Sequence, residues 1–196
     1  MRIAFSLLLL IGFTTFIGCN DDESGETTPG FDRQQMLTDL ADNVIIPAYD
    51  ALDGATTGLN AAIIAFTDNP TEENLTAART AFKSAWLIWQ KSAFWDFGPA
   101  FDVSLMGSLN TFPTDFIAVE NDIEAGTTPG DDLGSLDKKG FPAIDYLLYG
   151  GGSDADVVAL YTTDNHAANR KAYLKAITED IASRVATVAG AWSASG

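Results

Sequence analysis

The stretch TEENLTAARTAFKSAWLIWQKSA, residues 71–93, decides the fold class of this chain. Its apolar residues recur at steps of three and four, which places them on one face of an α-helix. Thr71 supplies an N-cap, and Glu72 and Glu73 place negative charge in the first turn, where the helix dipole favours it. The apolar face consists of Leu75, Ala78, Phe82, Ala85, Trp86, Trp89 and Ala93. The stretch therefore predicts one long helix that faces a core.

Two further stretches show the same helical spacing. One runs from Phe31 to Phe66, and Pro47 predicts a kink or a break at Ile46, because proline cannot donate a backbone hydrogen bond. The other runs from about Asn165 to Trp192. Strand-like alternation is absent from the sequence. Three long helices with short ones predict an all-α, four-helix-bundle-like domain over residues 31–196.

The segment from Phe94 to Gly140 loses the helical periodicity and is punctuated by proline and glycine pairs. We expect a long structured connection that contains one short helix near Pro113 to Glu124. Connections of this length often carry function. This segment is therefore one place to look for a site.

The segment KGFPAIDYLLYG, residues 139–150, predicts a short helix with one unusual acid. Pro142 suits the first turn, and the glycines 150–152 supply a stop that tolerates the left-handed region. The apolar residues Phe141, Ile144, Leu147 and Leu148 share one inward face. Asp145 lies one step beside that face, so it is a candidate site carboxylate. The alternative is that Asp145 only complements the positive end of the helix dipole.

The N-terminus has the pattern of an exported protein. Residues 1–18 combine one positive charge with an apolar core, which indicates a signal peptide that is too short to span a membrane. The residues before Cys19 resemble a bacterial lipobox, so we expect Cys19 to carry lipid. Residues 19–30 are acidic and polar and predict a flexible tether. These features predict a protein held at the cell envelope, on the outer membrane or cell surface, by a lipid anchor.

Composition limits the classes of function. The chain has 11 basic and 27 acidic residues and a formal charge of −16, which excludes nucleic-acid binding through a basic surface. It contains one cysteine and one histidine and lacks phosphate-loop, hydrolase-elbow and zincin motifs. This composition argues against nucleophilic triads that need cysteine or histidine.

Several segments together resemble the imelysin family, also called the M75 peptidase-like family. The resemblance lies in seven places, in order along the chain: NVIIPAY at 43–49, NPTEENLTAAR at 69–79, WLIWQ at 86–90, FGP at 97–99, LNTFPTD at 109–115, KGFPAIDYLLYG at 139–150, and Arg170 with Tyr173-Leu174. The resemblance implies an all-helical protein of two related four-helix bundles, exported and linked to the acquisition of iron or other metals.

The resemblance also indicates where a ligand would bind. The family's G-x-H-x-x-E motif, proposed to bind metal, aligns with residues 140–145, where Pro142 replaces the histidine and Asp145 replaces the glutamate. Since proline offers no ligand atom, a metal held by Asp145 would lose its nitrogen donor. The candidate ligand-binding residues are Asn110, Asp115, Gly140, Pro142 and Asp145. The candidate ligand is an iron or other divalent cation, or a small molecule.

Three hypotheses for function follow. The first is a non-enzymatic binding lipoprotein that takes part in iron or related ligand uptake. The second is a metallopeptidase of the same family. The third is a surface bundle that binds an envelope protein and no metal. Because the sequence accommodates one bundle where the family carries two, we also expect an apolar surface that a partner or a second copy would cover.

Overall fold

The computed structural model describes residues 30–194, so the predicted signal peptide, Cys19 and most of the tether lie outside the described residues. Within that range the structure is all-α, as predicted, and no residue is assigned to a strand. Its helices are α1 Arg33–Leu40, α2 Ile46–Asp68, α3 Glu72–Ser92, α4 Pro99–Asp102, α5 Leu105–Asn110, α6 Phe116–Ala125, α7 Gly140–Tyr149, α8 Asp154–Leu160 and α9 Ala167–Ala194.

The predicted interruption near Ile46 is present, as a change of helix type. A π-helical segment, Ala41–Ile45, separates α1 from α2, and Pro47 lies in the first turn of α2. The first turn is where the missing N–H of proline costs least. The other long helices begin as their sequences predict, and Thr71 caps α3 by accepting a hydrogen bond from the backbone N–H of Asn74.

Four helices enclose the core. α2 packs against both α3 and α9, and α7 packs against α3 and α9 in turn, which closes the arrangement. The largest fully buried side chains come from all four of these helices, from Lys139 just before α7, and from Tyr161 just after α8. They include Trp89, Tyr49, Tyr161, Tyr173, Phe66, Phe82 and Phe141. The predicted bundle is therefore correct, with the short helix α7 as its fourth member.

Polar contacts fix both ends of α7. At the C-terminal end, the Arg79 guanidinium donates to the carbonyl of Leu148 at 2.7 and 2.9 Å and pairs with Asp154. A positive group there complements the helix dipole and satisfies a carbonyl that has no partner within the helix. At the N-terminal end, the Tyr173 hydroxyl donates to the carbonyl of Lys138 at 2.8 Å. These contacts hold α7 in one position relative to α3 and α9.

The connection between α3 and α7 contains more helix than its sequence predicts. We expected one short helix there, and the structure has α4, α5 and α6 with a 3₁₀ segment at Leu133–Lys138. α8 was also missed. These helices, apart from α6, are seven residues or fewer, too short for an apolar period to show. The stop after α7 differs as well: Gly150 has φ −72°, and the left-handed residue is Gly152, at φ +99°.

None of the helices in residues 30–194 is long and apolar enough to cross a membrane.

Candidate functional site

The helix α7 presents two different faces. Phe141, Ile144 and Leu148 are fully buried in the core. A second face, made by Pro142, Asp145, Tyr146 and Tyr149, follows the i, i+3, i+4, i+7 spacing of one helical stripe and lines an open cleft. The helix that completes the bundle therefore also forms one wall of the candidate site.

The cleft lies where α7 meets α3, the end of α5 and the start of α6, and its volume is about 610 Å³. That size suits a small organic ligand. Its remaining lining residues come from these neighbours: Trp86 and Gln90 of α3, Asn110 of α5, Phe112, Pro113 and Thr114 of the following loop, Phe116 of α6, and Gly150. The lining contains five aromatic side chains and one ionisable carboxyl group, and no lysine or arginine.

Asp145 is the acid that this cleft exposes to a ligand. The side chain is partly buried, and burial raises the pKa of its carboxyl group above the ordinary value. Asp145 has no hydrogen bond or ion pair with the described residues, in contrast to the acids elsewhere on the bundle that pair with arginine or lysine. A carboxylate with a perturbed pKa in a cleft is a typical mark of a functional site. The structure therefore favours the site interpretation of Asp145 over a role limited to the helix dipole.

Three other lining residues carry buried polar atoms that lack a partner. These atoms are Trp86 Nε1, Thr114 Oγ1 and Tyr149 Oη, and none of them makes a hydrogen bond with the described residues. Buried polar atoms normally have partners, so each such atom calls for a reason. All three atoms are closed off from solvent, so the side chains that carry them form part of the packed wall of the cleft. Trp86 belongs to the predicted core-facing stripe of α3, and in the structure it packs against the core and also lines the cleft.

An ion pair lies behind the cleft and holds one of its walls. Arg170 on α9 donates to both carboxylate oxygens of Glu120 on α6, at 2.9 and 2.5 Å, and the Tyr146 hydroxyl donates to Glu120 at 2.8 Å. Burial would raise the pKa of Glu120, but the hydrogen bonds from Arg170 and Tyr146 outweigh it and hold this pKa below its usual value. Burial and the bond to Glu120 raise the pKa of Tyr146 to about 12.

Sequence analysis did not select Glu120 or Arg170 as a pair. Arg170 was noted only as part of the family resemblance, and the two residues are 50 positions apart. Arg170 is 6% exposed, so its charge needs a partner. Its place among the buried, mostly apolar residues of α9 is the feature that could have identified Arg170 as a residue in need of a partner.

The structure brings together three of the five candidate ligand-binding residues. Asn110, Pro142 and Asp145 line the cleft. Asp115 does not line it: its carboxylate accepts from the backbone N–H of Ala118 at 2.9 Å and caps α6. Gly140 does not line it either, and instead lies against the backbone at the end of α5. Asp115 and Gly140 thus have structural roles near the cleft.

Large apolar side chains are exposed at several points on the described surface. Phe94, Phe101, Phe112 and Leu133 are each more than 70% exposed, and Phe112 is also part of the cleft. Such side chains could be covered by the expected partner or second copy. That interaction stays a prediction.

The bundle defines the class of protein as all-α, and sequence comparison gives the family. A family model described as imelysin, peptidase M75, matches residues 45–196, and the chain belongs to this family.

Two individual proteins are similar to parts of the chain. The iron-regulated protein A of Synechococcus elongatus is 30% identical over 115 residues, which is 59% of this chain and 31% of that protein. A crystal structure from Parabacteroides distasonis, of a protein with the provisional name iron-regulated protein A precursor, matches with a TM-score of 0.66 at 24% identity. It covers 78% of this chain and 43% of that one. The chain thus spans less than half the length of these relatives, and the second likeness shows the fold alone.

The residues of the cleft do not fit a resident transition metal. Pro142 occupies the place of the family's histidine, and the lining offers one carboxylate and the side-chain amides of Asn110 and Gln90. Nowhere in residues 30–194 do three or more histidine, cysteine, aspartate or glutamate side chains form a group that could hold a metal ion. Tight sites for such metals normally use three or four nitrogen, sulfur or carboxylate ligands. A weak, mainly solvated cation at Asp145 remains compatible with this donor set.

Proposed function

We propose that this protein is a non-enzymatic binding component of an iron-related uptake process at the cell envelope, held there by lipid on Cys19. The observation that carries the binding role is the unpaired carboxylate of Asp145 in an aromatic cleft of about 610 Å³. The iron-related role is supported by membership of the imelysin family and by the name of the cyanobacterial relative.

The binding role is favoured over catalysis because of the groups that the cleft supplies. A metallopeptidase needs a metal that is held by several protein ligands and keeps an open position for water. The cleft offers neither a histidine nor a second carboxylate beside Asp145. Its aromatic walls and few polar groups are instead typical of a site that recognises a small ligand.

The experiment is deletion of the gene in its host, with iron uptake measured under iron limitation. We expect slower uptake of radioactive iron, restored by the wild-type gene and not by Asp145→Asn, which removes the charge and keeps the shape. Asp50→Asn is the matched control, since Asp50 is exposed on α2 and outside the cleft. Unchanged uptake in the deletion strain would contradict the proposal.

A further inference from the structure

The cleft combines a carboxylate that lacks a counter-charge with aromatic walls. Its walls include Trp86, Phe116 and Tyr146, and its lining contains no basic side chain. A partly buried carboxylate that stays charged gains most from a cation beside it, because water screens it poorly there. The faces of aromatic rings also attract cations. Both features favour a positively charged occupant.

The volume of the cleft and its possible ligand atoms indicate which kind of cation it would bind. A bare metal ion would fill a small fraction of 610 Å³ and would find one protein carboxylate. An organic molecule would use the aromatic walls and the volume as well as the charge. The cleft therefore suits an organic cation better than a bare metal ion.

The net charge of the chain also bears on the occupant of the cleft. The acidic character of the whole chain, with a formal charge of −16, adds a field that attracts cations and repels anions.

We propose that the cleft binds a small organic molecule with a protonated amine, in which the ammonium group pairs with Asp145 and the rest of the molecule packs against the aromatic walls of the cleft. This inference rests on the proposed function, since it names the class of ligand for the same cleft. It departs from the metal-binding role that the family motif implies, because the motif's histidine is Pro142 here.

The test uses three probes that share a phenol ring with a short side chain and differ in charge. Tyramine carries an ammonium group, 4-ethylphenol is neutral, and 3-(4-hydroxyphenyl)propionate is an anion. Binding is followed through the indole N–H signal of Trp86 in a nitrogen-proton correlation spectrum, assigned by its loss in Trp86→Phe. We expect saturable tyramine binding with a dissociation constant in the millimolar range or tighter, and at least tenfold weaker binding of the other two probes.

Variants distinguish binding at this site from nonspecific binding of the probe. Asp145→Asn is expected to weaken tyramine binding at least tenfold, and Asp50→Asn to leave it unchanged. A thermal melt of each variant shows that it is folded. Equal binding of the three probes, no saturable shift with tyramine, or full binding by folded Asp145→Asn would each overturn the inference.

The outcomes also distinguish this inference from the proposed function. If the deletion strain takes up iron slowly and tyramine does not bind, the ligand class is wrong and the proposed function stands. If tyramine binds through Asp145 and the deletion has no effect on uptake, the ligand class stands and the iron-related role is wrong.

Discussion

Gly140 lies against the last turn of α5 so closely that a Cβ atom there would be 2.5 Å from the carbonyl oxygen of Leu109. Its φ is +80°, in the region that favours glycine. This contact sets the distance between α5, which carries Asn110, and α7, which carries Asp145. Gly140, the glycine of the family motif, thus helps to set the shape of the cleft without lining it.

Gly140→Ala should lower the free energy of unfolding by about 3 kcal/mol, because backbone strain and a clash with backbone atoms add together. Denaturant unfolding measures the change. Gly58→Ala in α2 is the control: a Cβ there meets nothing within 4 Å, so this variant should gain up to about 1 kcal/mol. Similar stability of the two variants would show that the close contact does not exist.

Arg170→Met should destabilise the fold by about 2–3 kcal/mol, since it leaves Glu120 without its positive partner in a partly buried place. Lys175→Met is the matched control, because Lys175 and Asp68 form a pair whose side chains are 38% and 63% exposed. Exposed pairs contribute about 0–1 kcal/mol. Equal losses for the two variants in urea unfolding would contradict a special role for the Glu120–Arg170 pair.

Asp145→Asn should raise stability at neutral pH by roughly 0.5 kcal/mol, because it removes a charge that burial disfavours. Burial raises the pKa of Asp145, so the folded state holds this proton more tightly than the unfolded state. The contribution of Asp145 to stability is therefore present below the ordinary pKa of 3.8 and is lost as pH rises above it. No other carboxyl, basic or histidine group lines the cleft to cancel this effect.

Thermal melts of the wild-type protein and Asp145→Asn between pH 3 and pH 8 would measure this difference. We expect the two to converge at low pH, where Asp145 is protonated, and to separate as pH rises. A wild-type protein that is more stable than Asp145→Asn at neutral pH would mean that a partner stabilises the carboxylate in the folded state.

Purified protein should show no metal-dependent proteolysis, because the cleft lacks the ligands that would hold a catalytic metal. The measurement is cleavage of casein after addition of zinc or iron, with and without a chelator. Cleavage that the chelator abolishes, and that Asp145→Asn lacks, would refute this expectation.

Cys19→Ala should release the protein from membranes, since the sequence before Cys19 resembles a lipobox and the tether after it has no apolar anchor. Fractionation of cells into membrane and soluble parts, followed by blotting, measures the distribution. A variant that stays with the membrane as the parent does would show that another contact holds the protein there.

The sequence alone determined the all-α class, the three long helices and the short helix that carries Asp145, because a helix buries its apolar face at a period that is visible in a short window. The local pattern selected Asp145 and the family resemblance added Asn110 and Pro142, and these three residues line one cleft. It could not show α4, α5 or α8, since helices of four to seven residues are too short to display a period.

Only the tertiary structure decided which side chains face each other. It showed that Trp86 packs against the core and also lines the cleft, that Asp115 caps α6, and that Glu120 pairs with Arg170. Each of these depends on how helices distant in the sequence pack together, and the helical period says which face is apolar but not which neighbour covers it. The environment of Asp145, a carboxylate without a counter-charge among aromatic rings, exists only because α3, α5, α6 and α7 converge there.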